Sequence, residues 1–114
     1  MINQVTLVGR LTRDPELKLT QTGTSVTNIM LAVQRNYRNQ AGEYEADFIP
    51  CIFWNKAAEN IVHYCRKGFM IALIGRIQTR NYENEDGKRV YVTEVVAEYV
   101  RFLEPKNHEQ LITT

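Results

Sequence analysis

Apolar and polar residues alternate with a period of two over most of the chain, which is the pattern of β-strands with two distinct faces. The first predicted strand opens at Val5, and four others are expected at residues 26–35, 48–54, 69–82 and 89–103. Asp86-Gly87 gives a hairpin signal between the last two strands. Residues 36–45 are polar and are predicted to form a loop between the second and third strands.

One segment follows the period of a helix instead. From Ala58 to Cys65 the apolar residues recur at i, i+3, i+4 and i+7, the spacing of one buried helix face. Asn55 is a good N-cap residue, and two cations followed by Gly68 suit a helix end. These signals predict a helix of about three turns.

The predicted order of three strands, one helix and two strands is that of the OB-fold, a small five-stranded Greek-key barrel. Gly9 and Gly75 fall inside the first and fourth strands, where glycine marks a bulge or a sharp bend. Pro50 cannot donate to a ladder, so we expect an edge position or a bulge in the third strand. The sequence therefore predicts an all-β protein with one helix, with an OB-fold domain over residues 1–104 and a short flexible tail over residues 105–114.

Size and charge narrow the classes of function. A chain of 114 residues is most simply one domain, and a net charge of +1 argues against a histone-like binder that works by bulk charge. No secretory signal opens the chain, and no apolar run approaches the roughly 20 residues of a membrane helix, so a cytoplasmic protein is expected. Cys51 and Cys65 are predicted to be small buried hydrophobes, and with His63 and His108 they form neither a disulfide framework nor a metal site.

Side-chain parity in the third strand places aromatic rings where a core does not require them. Successive strand residues face opposite sides, so Phe48 and Trp54 share one face while Cys51 and Phe53 share the other. Both faces are apolar. The strand therefore either packs on both sides, which would make Trp54 an ordinary core residue, or exposes its rings for binding.

The fourth strand has one apolar face and one face that mixes cations with a ring. The expected core-facing set is Phe69, Ile71, Leu73 and Ile77. The opposite parity ends in Arg76, Gln78, Arg80 and Tyr82. Such a row suits single-stranded nucleic acid, because phosphates pair with the cations and bases stack on the rings. The alternative is a solvated face whose Tyr82 packs across the hairpin.

The same combination of ring and cation occurs twice more. The segment before the third strand carries Arg35, Tyr37 and Arg38, and Lys56 follows Trp54. The alternative for Tyr37 is a ring folded back onto the barrel. Stacking contributes about 1–3 kcal/mol per base and tolerates any base sequence. At a net charge of +1, we expect stacking to matter more than long-range attraction.

Catalytic chemistry has little support in the sequence. Two histidines and two cysteines show no arrangement of nucleophile and base, and no phosphate-cradling loop or dinucleotide motif occurs. The carboxylate pairs Asp14/Glu16 and Glu94/Glu98 are interpreted as surface charges rather than a hydrolytic pair. We therefore expect a binding protein that needs no cofactor, and not an enzyme.

Several motifs, in the right order, resemble those of the bacterial single-stranded DNA-binding protein family. They are Val5-Thr6-Leu7-Val8-Gly9-Arg10-Leu11, Asp14-Pro15-Glu16, Asn55-Lys56-Ala57-Ala58-Glu59, Arg66-Lys67-Gly68, Gly75-Arg76-Ile77-Gln78-Thr79-Arg80 and Thr93-Glu94-Val95-Val96. The resemblance covers about residues 1–104. It implies an OB-fold homotetramer, associated with the nucleoid, that binds and protects single-stranded DNA in replication, recombination, repair or DNA uptake.

The resemblance also implies roles for individual residues. The family's base-stacking positions fall on Tyr37, Phe48, Trp54 and Tyr82. The positions that match its cationic contacts are Lys18, Lys56, Lys67, Arg76 and Arg80, and Arg35 joins them from the argument above. The first strand is expected to pair with its counterpart in a second subunit, which would remove an exposed edge.

The sequence departs from the family at its end. Many members carry a glycine-rich linker and an acidic tail, whereas this sequence stops at residues 111–114, which puts recruitment of replication and repair proteins in doubt. A short paralogue, a phage or plasmid protein and a truncated chain all stay open. So do a dimeric primosomal adaptor of the same fold and an OB module that binds oligosaccharide or is purely structural. RNA stays open as a secondary ligand, because stacking does not read the 2′-hydroxyl.

Overall fold

The computed structural model describes residues 1–104 and contains six strands and one helix within them. In chain order the elements are β1 (Val5–Leu11), β2 (Lys18–Leu19), β3 (Ser25–Arg38), β4 (Tyr44–Trp54), α1 (Asn55–Tyr64), β5 (Met70–Glu83) and β6 (Arg89–Phe102). All five predicted strands and the helix are present, and the two-residue β2 is an addition that the sequence did not signal. The predicted tail, residues 105–114, lies outside the described residues. Within residues 1–104 no helix is long and apolar enough to cross a membrane.

The strands form one sheet in the order β1-β5-β6-β4-β3-β2, and β1 also pairs with β3, so the sheet closes into a barrel. β4 runs parallel to β6, with Cys51 and Ile52 as its paired residues, while the other strand pairs are antiparallel. On one side Pro50 pairs with Met30 of β3. On the other side β4 pairs with β6 only at Cys51 and Ile52 within the described chain, so Pro50 lies at a local edge, as a residue without an N–H requires. The closed barrel with one helix between β4 and β5 confirms the OB-fold.

Gly75 lies where the barrel wall bends, because two backbones approach closely there. A Cβ atom at this position would lie 2.1 Å from the carbonyl oxygen of Val96. The register of β5 against β6 also slips here, since Ile74 pairs with Tyr99 but Gly75 pairs with Ala97. The bulge predicted at this glycine is thus confirmed.

Gly9 marks the second close approach, at the point where β1 crosses from one neighbour to the other. β1 pairs with β5 over residues 5–10, but only Arg10 and Leu11 pair with β3. A Cβ atom at Gly9 would lie 2.6 Å from the carbonyl oxygen of Ala32. Over residues 5–9 no strand of the described chain pairs with the second edge of β1, so the exposed edge expected from the sequence is present.

The core fills the barrel between the strands and α1. Its fully buried side chains come from β1, β3, β4, β5 and the helix, and include Leu11, Ile29, Leu31, Phe53, Ile61, Ile71 and Leu73. Cys51 and Cys65 are buried free thiols, as predicted. Burial raises the pKa of Cys51 to about 12 and that of Cys65 to about 11, so neither thiol is reactive at neutral pH.

The helix differs from the prediction at both ends. Asn55 has a φ of 56°, and Trp54 occupies the N-cap without a side-chain hydrogen bond, so Asn55 does not cap the helix. The helix ends at Tyr64, earlier than expected. Gly68 adopts a φ of 90° in the following turn, where its N–H donates to the carbonyl of Leu11. The left-handed glycine is present, but it joins the helix exit to β1 rather than ending the helix.

Two further predictions are wrong because paired strands continue beyond the barrel as hairpins. Residues 36–45 are not a loop, since β3 continues to Arg38 and β4 already begins at Tyr44. Ile77 is exposed rather than buried in the core. Beyond Gly75 the only strand of the described chain that pairs with β5 is β6, so Ile77 has left the closed part of the barrel.

Candidate nucleic-acid interface

One surface of the sheet, on the outside of the barrel, is continuous across four strands. Arg76 of β5 pairs with Val96 of β6, and Val96 pairs with Ile52 of β4, which in turn pairs with Asn28 of β3. Paired residues project to the same side, and side chains alternate along each strand. We call this surface the outer face and define it by the even-numbered residues within 26–34, 44–54, 76–82 and 90–96.

The outer face brings together five of the residues that the sequence singled out. They are Phe48, Trp54, Arg76, Arg80 and Tyr82. Phe48 is 61% exposed and Trp54 is 37% exposed, and Tyr82 is also exposed, so none of the three rings belongs to the core. The core alternative for Trp54 therefore does not describe this molecule. Three rings and two guanidinium groups share one accessible surface.

Lysines flank Trp54 on two sides. Lys18 pairs with Val26, and Val26 pairs with Trp54, so Lys18 projects from the outer face on the far side of β3. Lys56 is exposed in the first turn of α1, two residues after Trp54. Of the two lysines, only Lys18 is placed on the face by strand pairing. Both can supply charge to a phosphate that passes near the indole ring.

A buried carboxylate holds the polar side chains of β5 in position. Glu94 of β6 is only 3% exposed. Its carboxylate accepts hydrogen bonds of 2.9 Å from Nε of Arg80 and from Nε2 of Gln78. The interpretation of Glu94 as a surface charge is therefore wrong, because its ladder neighbours cover it. Arg80 stays about half exposed, and its guanidinium lies 6.0 Å from the centre of the Tyr82 ring.

Arg76 has a looser partner on the same face. Its Nε lies 3.6 Å from Oε2 of Glu98, and both side chains are about half exposed. Exposed ion pairs of this kind contribute about 0–1 kcal/mol. The guanidinium of Arg76 can therefore exchange Glu98 for a phosphate at little cost.

Arg35 and Tyr37 are not brought to the outer face by strand pairing. Arg35 has the opposite parity and forms a bidentate ion pair with Asp47, with Nη2 to Oδ1 at 2.8 Å. The hydrogen bond and charge of Asp47, with a contribution from Tyr37, raise the pKa of Arg35, while the Arg35 hydrogen bond lowers the pKa of Asp47. Tyr37 is exposed and lies where the β3–β4 register shifts, between Gln34 and Arg38.

Lys67 lies away from the strand ladder, in the turn between α1 and β5. Its backbone N–H donates to Oδ1 of Asp14 at 2.8 Å, and its side chain is exposed. The structure therefore separates Lys67 from the residues of the outer face. Among residues 1–104 no group of three or more His, Cys, Asp or Glu side chains could hold a metal ion.

The sequence analysis missed several exposed aromatic residues, among them Tyr44 and Tyr91. Tyr44 is 48% exposed and has the same parity on β4 as Phe48, but its segment was interpreted as a loop, where parity has no meaning. Tyr91 is 78% exposed and pairs with Asn81, so it projects from the side of the β5–β6 hairpin opposite the outer face. Had β3 and β4 been predicted to extend past the barrel, parity would have placed Tyr44 on the same side of β4 as Phe48.

The sequence is similar to that of known DNA-binding proteins over almost its whole length. Residues 2–103 match the model of the Single-strand binding protein family. The chain is 58% identical over 114 residues to Single-stranded DNA-binding protein 2 of Listeria innocua, which it covers to 72%. It is 54% identical over 110 residues, 96% of its length, to Single-stranded DNA-binding protein B of Bacillus subtilis, of which it covers 97%. Over 107 residues, 94% of its length, it is 59% identical to the Single-stranded DNA-binding protein of Bacillus cereus, of which it covers 63%.

Proposed function

Because the chain belongs to the single-strand binding protein family, we propose that its outer face binds single-stranded DNA without regard to sequence and protects it. Members of this family are DNA-binding proteins and not enzymes, so the expectation of a non-enzymatic binding protein is confirmed. The proposal concerns the mode of binding: bases stack on the exposed rings, and lysine and arginine side chains contact the phosphates.

The observation that carries this proposal is the sharing of one accessible surface by Phe48, Trp54 and Tyr82 with Arg76 and Arg80. Each stacked base contributes about 1–3 kcal/mol, so three rings supply on the order of several kcal/mol before the cost of ordering the strand. Stacking does not depend on base identity, because every base has a π-face. Binding that tolerates any sequence follows from this chemistry.

An apolar floor in the middle of the outer face supports the same proposal. Val26, Ile52 and Val96 form a small buried cluster there, separate from the main core. These side chains are already covered by the protein, so this part of the face has few polar groups to desolvate when DNA lies on it. Lys18 borders this cluster through its pairing with Val26, and Lys56 follows Trp54 by two residues in the chain. We assign Tyr37 and Lys67 to the edges of the DNA path on the family resemblance, and Arg35 on its place beside Tyr37 in the sequence.

We extend the proposal to the setting in which the protein acts. Exposed single strands arise during replication, recombination, repair and DNA uptake, and the family resemblance supports a role in these processes at the nucleoid. The chemistry of the outer face does not distinguish among these processes, because stacking depends neither on the base sequence nor on how the single strand arose.

Fluorescence provides a direct test, because Trp54 is the one tryptophan of the chain. Titration with a thymidine oligomer should quench its emission as the indole stacks on a base, whereas a duplex of equal length should not. Higher salt should weaken binding, with log K falling by about 0.7 per phosphate contact for each tenfold increase in salt. Unchanged emission, while anisotropy of a labelled oligomer shows saturation, would contradict stacking at Trp54. An oligomer that does not bind at all would contradict the function.

We further propose that the chain forms a homotetramer, as the family resemblance implies. Over residues 5–9 one edge of β1 has no partner strand in the described chain. Exposed apolar and aromatic side chains lie on β1 and on β5 and β6, the next two strands of the sheet, namely Val8, Ile74 and Tyr99. Edges of this kind are often covered by another element.

Light scattering should give a mass of four chains. A mass of two chains would favour the primosomal adaptor instead, and Val8→Asp should reduce the mass if β1 carries the contact.

A further inference from the structure

The β3–β4 hairpin carries a ring and a cation that the stacking positions discussed so far do not include. Arg38 and Tyr44 are cross-strand neighbours in the ladder, and Cζ of Arg38 lies 4.7 Å from the centre of the Tyr44 ring. Tyr44 is 48% exposed and belongs to the outer face. We propose that Tyr44 and Arg38 form an additional nucleotide subsite, which takes one base and one phosphate of the same DNA strand that crosses Phe48 and Trp54.

The position of Tyr44 continues the line of rings along β4. Trp54, Phe48 and Tyr44 lie on one face of one strand, with spacings of six and four residues. At about 3.3 Å per residue these spacings are about 20 Å and 13 Å. Between Tyr44 and Phe48 the outer face of β4 carries only Ala46, whose methyl group does not obstruct a strand of DNA. The cleft beside the ring lies between this hairpin and β1, with Tyr44, Glu45 and Ala46 on one side and Val8, Gly9 and Arg10 on the other.

The charge of Arg38 is available for a phosphate. Within the described chain Arg38 has no carboxylate at ion-pair distance, whereas Arg35 is bound to Asp47 and Arg80 to Glu94. One nitrogen of Arg38 donates to the carbonyl of Gly42 at 2.9 Å, which leaves other N–H groups of the guanidinium unused. A guanidinium that lies over a ring can bind a phosphate while the base stacks on the open side of the ring.

The nearest acidic side chains on β4 do not oppose a phosphate at this subsite. Glu45 alternates with Tyr44 and therefore projects to the opposite side of the hairpin, where its carboxylate lies 3.6 Å from Arg35. Asp47 is on that same side and is paired with Arg35. Two acidic residues of β4, Glu45 and Asp47, thus direct their carboxylates to Arg35 and not to Arg38.

The inference rests on the proposed function of the outer face, and its test is designed to separate the two. The affinity for a long thymidine oligomer is measured by anisotropy for the wild-type chain, Tyr44→Ala, Tyr44→Phe and Tyr91→Ala. Tyr91 is the matched control, because it is an exposed ring on the opposite side of a hairpin. Tyr44→Ala should weaken binding about 5- to 100-fold, the effect of losing one stacked base, while the two other variants bind like the wild type.

Wild-type affinity in a folded Tyr44→Ala would overturn the subsite and leave the outer face intact, provided that Phe48→Ala still weakens binding. Failure of the wild-type chain to bind the oligomer would overturn the proposed function itself. If Tyr44→Ala melts at a much lower temperature, its weaker binding could come from unfolding. The subsite is then tested with Arg38→Gln, which removes the cation and keeps the ring. That variant should lower affinity and reduce the salt slope by about 0.7, and an unchanged slope would overturn the proposal.

Discussion

Replacing Phe48 with alanine should weaken the binding of a thymidine oligomer by about 1–3 kcal/mol and leave the melting temperature almost unchanged. Phe48 is more than half exposed on the outer face and belongs to neither buried cluster of the described chain, so its ring contributes little to folding. Trp54→Ala should lower affinity by a similar amount. It should also reduce stability, because nearly two-thirds of Trp54 is covered by the protein.

The double variant gives the largest expected effect on binding. The two residues lie six positions apart on β4, or about 20 Å, so their contributions should add to about 2–6 kcal/mol. Calorimetry or anisotropy measures the affinity, and thermal unfolding checks the fold. Phe48→Trp is the matched control, since it keeps an aromatic ring and should retain binding. A large loss of stability in Phe48→Ala, together with unaltered affinity, would show that the ring has a structural role.

Gly75→Ala should be the most damaging small substitution for the fold. The added Cβ would lie 2.1 Å from the carbonyl oxygen of Val96, and a backbone atom in a paired strand cannot move aside without breaking the ladder. Overpacking costs about 1–3 kcal/mol and sometimes more. Because about 1 kcal/mol shifts the melting temperature of a domain this size by about 4–8 °C, the loss should be clear in a thermal melt.

The control for this substitution is a glycine in open space. Gly42 has a φ of 80°, and a Cβ there would meet no atom of residues 1–104 within 4 Å. Gly42→Asn should cost little, because asparagine tolerates the left-handed region. A Gly75→Ala chain that melts like the wild type would show that the backbone at the bulge can relax.

The strands and the rings that the structure shows to be exposed could be predicted from local patterns, but their assembly could not. The two-residue period identified the rings of β4 and the cations of β5 separately. What unites them is the pairing of Ile52 with Val96, a parallel contact between segments more than forty residues apart, which no local pattern reveals. The burial of Glu94 escaped prediction for the same reason, since its partners lie across the β5–β6 ladder.

The wrong prediction for residues 36–45 and the omission of Tyr44 have one physical cause. The hairpins that extend past the barrel are exposed to solvent on both faces, so their residues need not alternate between apolar and polar. Residues 36–45 were therefore predicted to be a loop. Parity could not be applied to Tyr44, although it would have placed Tyr44 on the same side as Phe48. At Asn55 the intrinsic capping preference gave way to the abrupt junction between β4 and α1, where tertiary structure fixes the backbone.

Two neighbouring residue pairs join β4 to β6 in the described chain, and they serve different sides of the protein. Cys51 and Val95 meet in the interior, while Ile52 and Val96 meet beneath the surface that carries the rings. A bulkier side chain at Cys51 would push the two strands apart and shift Arg80 and Tyr82 relative to Trp54. On the proposed function, tolerance to substitution at this interior site is therefore limited by DNA binding as well as by folding, so that selection for affinity and selection for packing act on the same atoms.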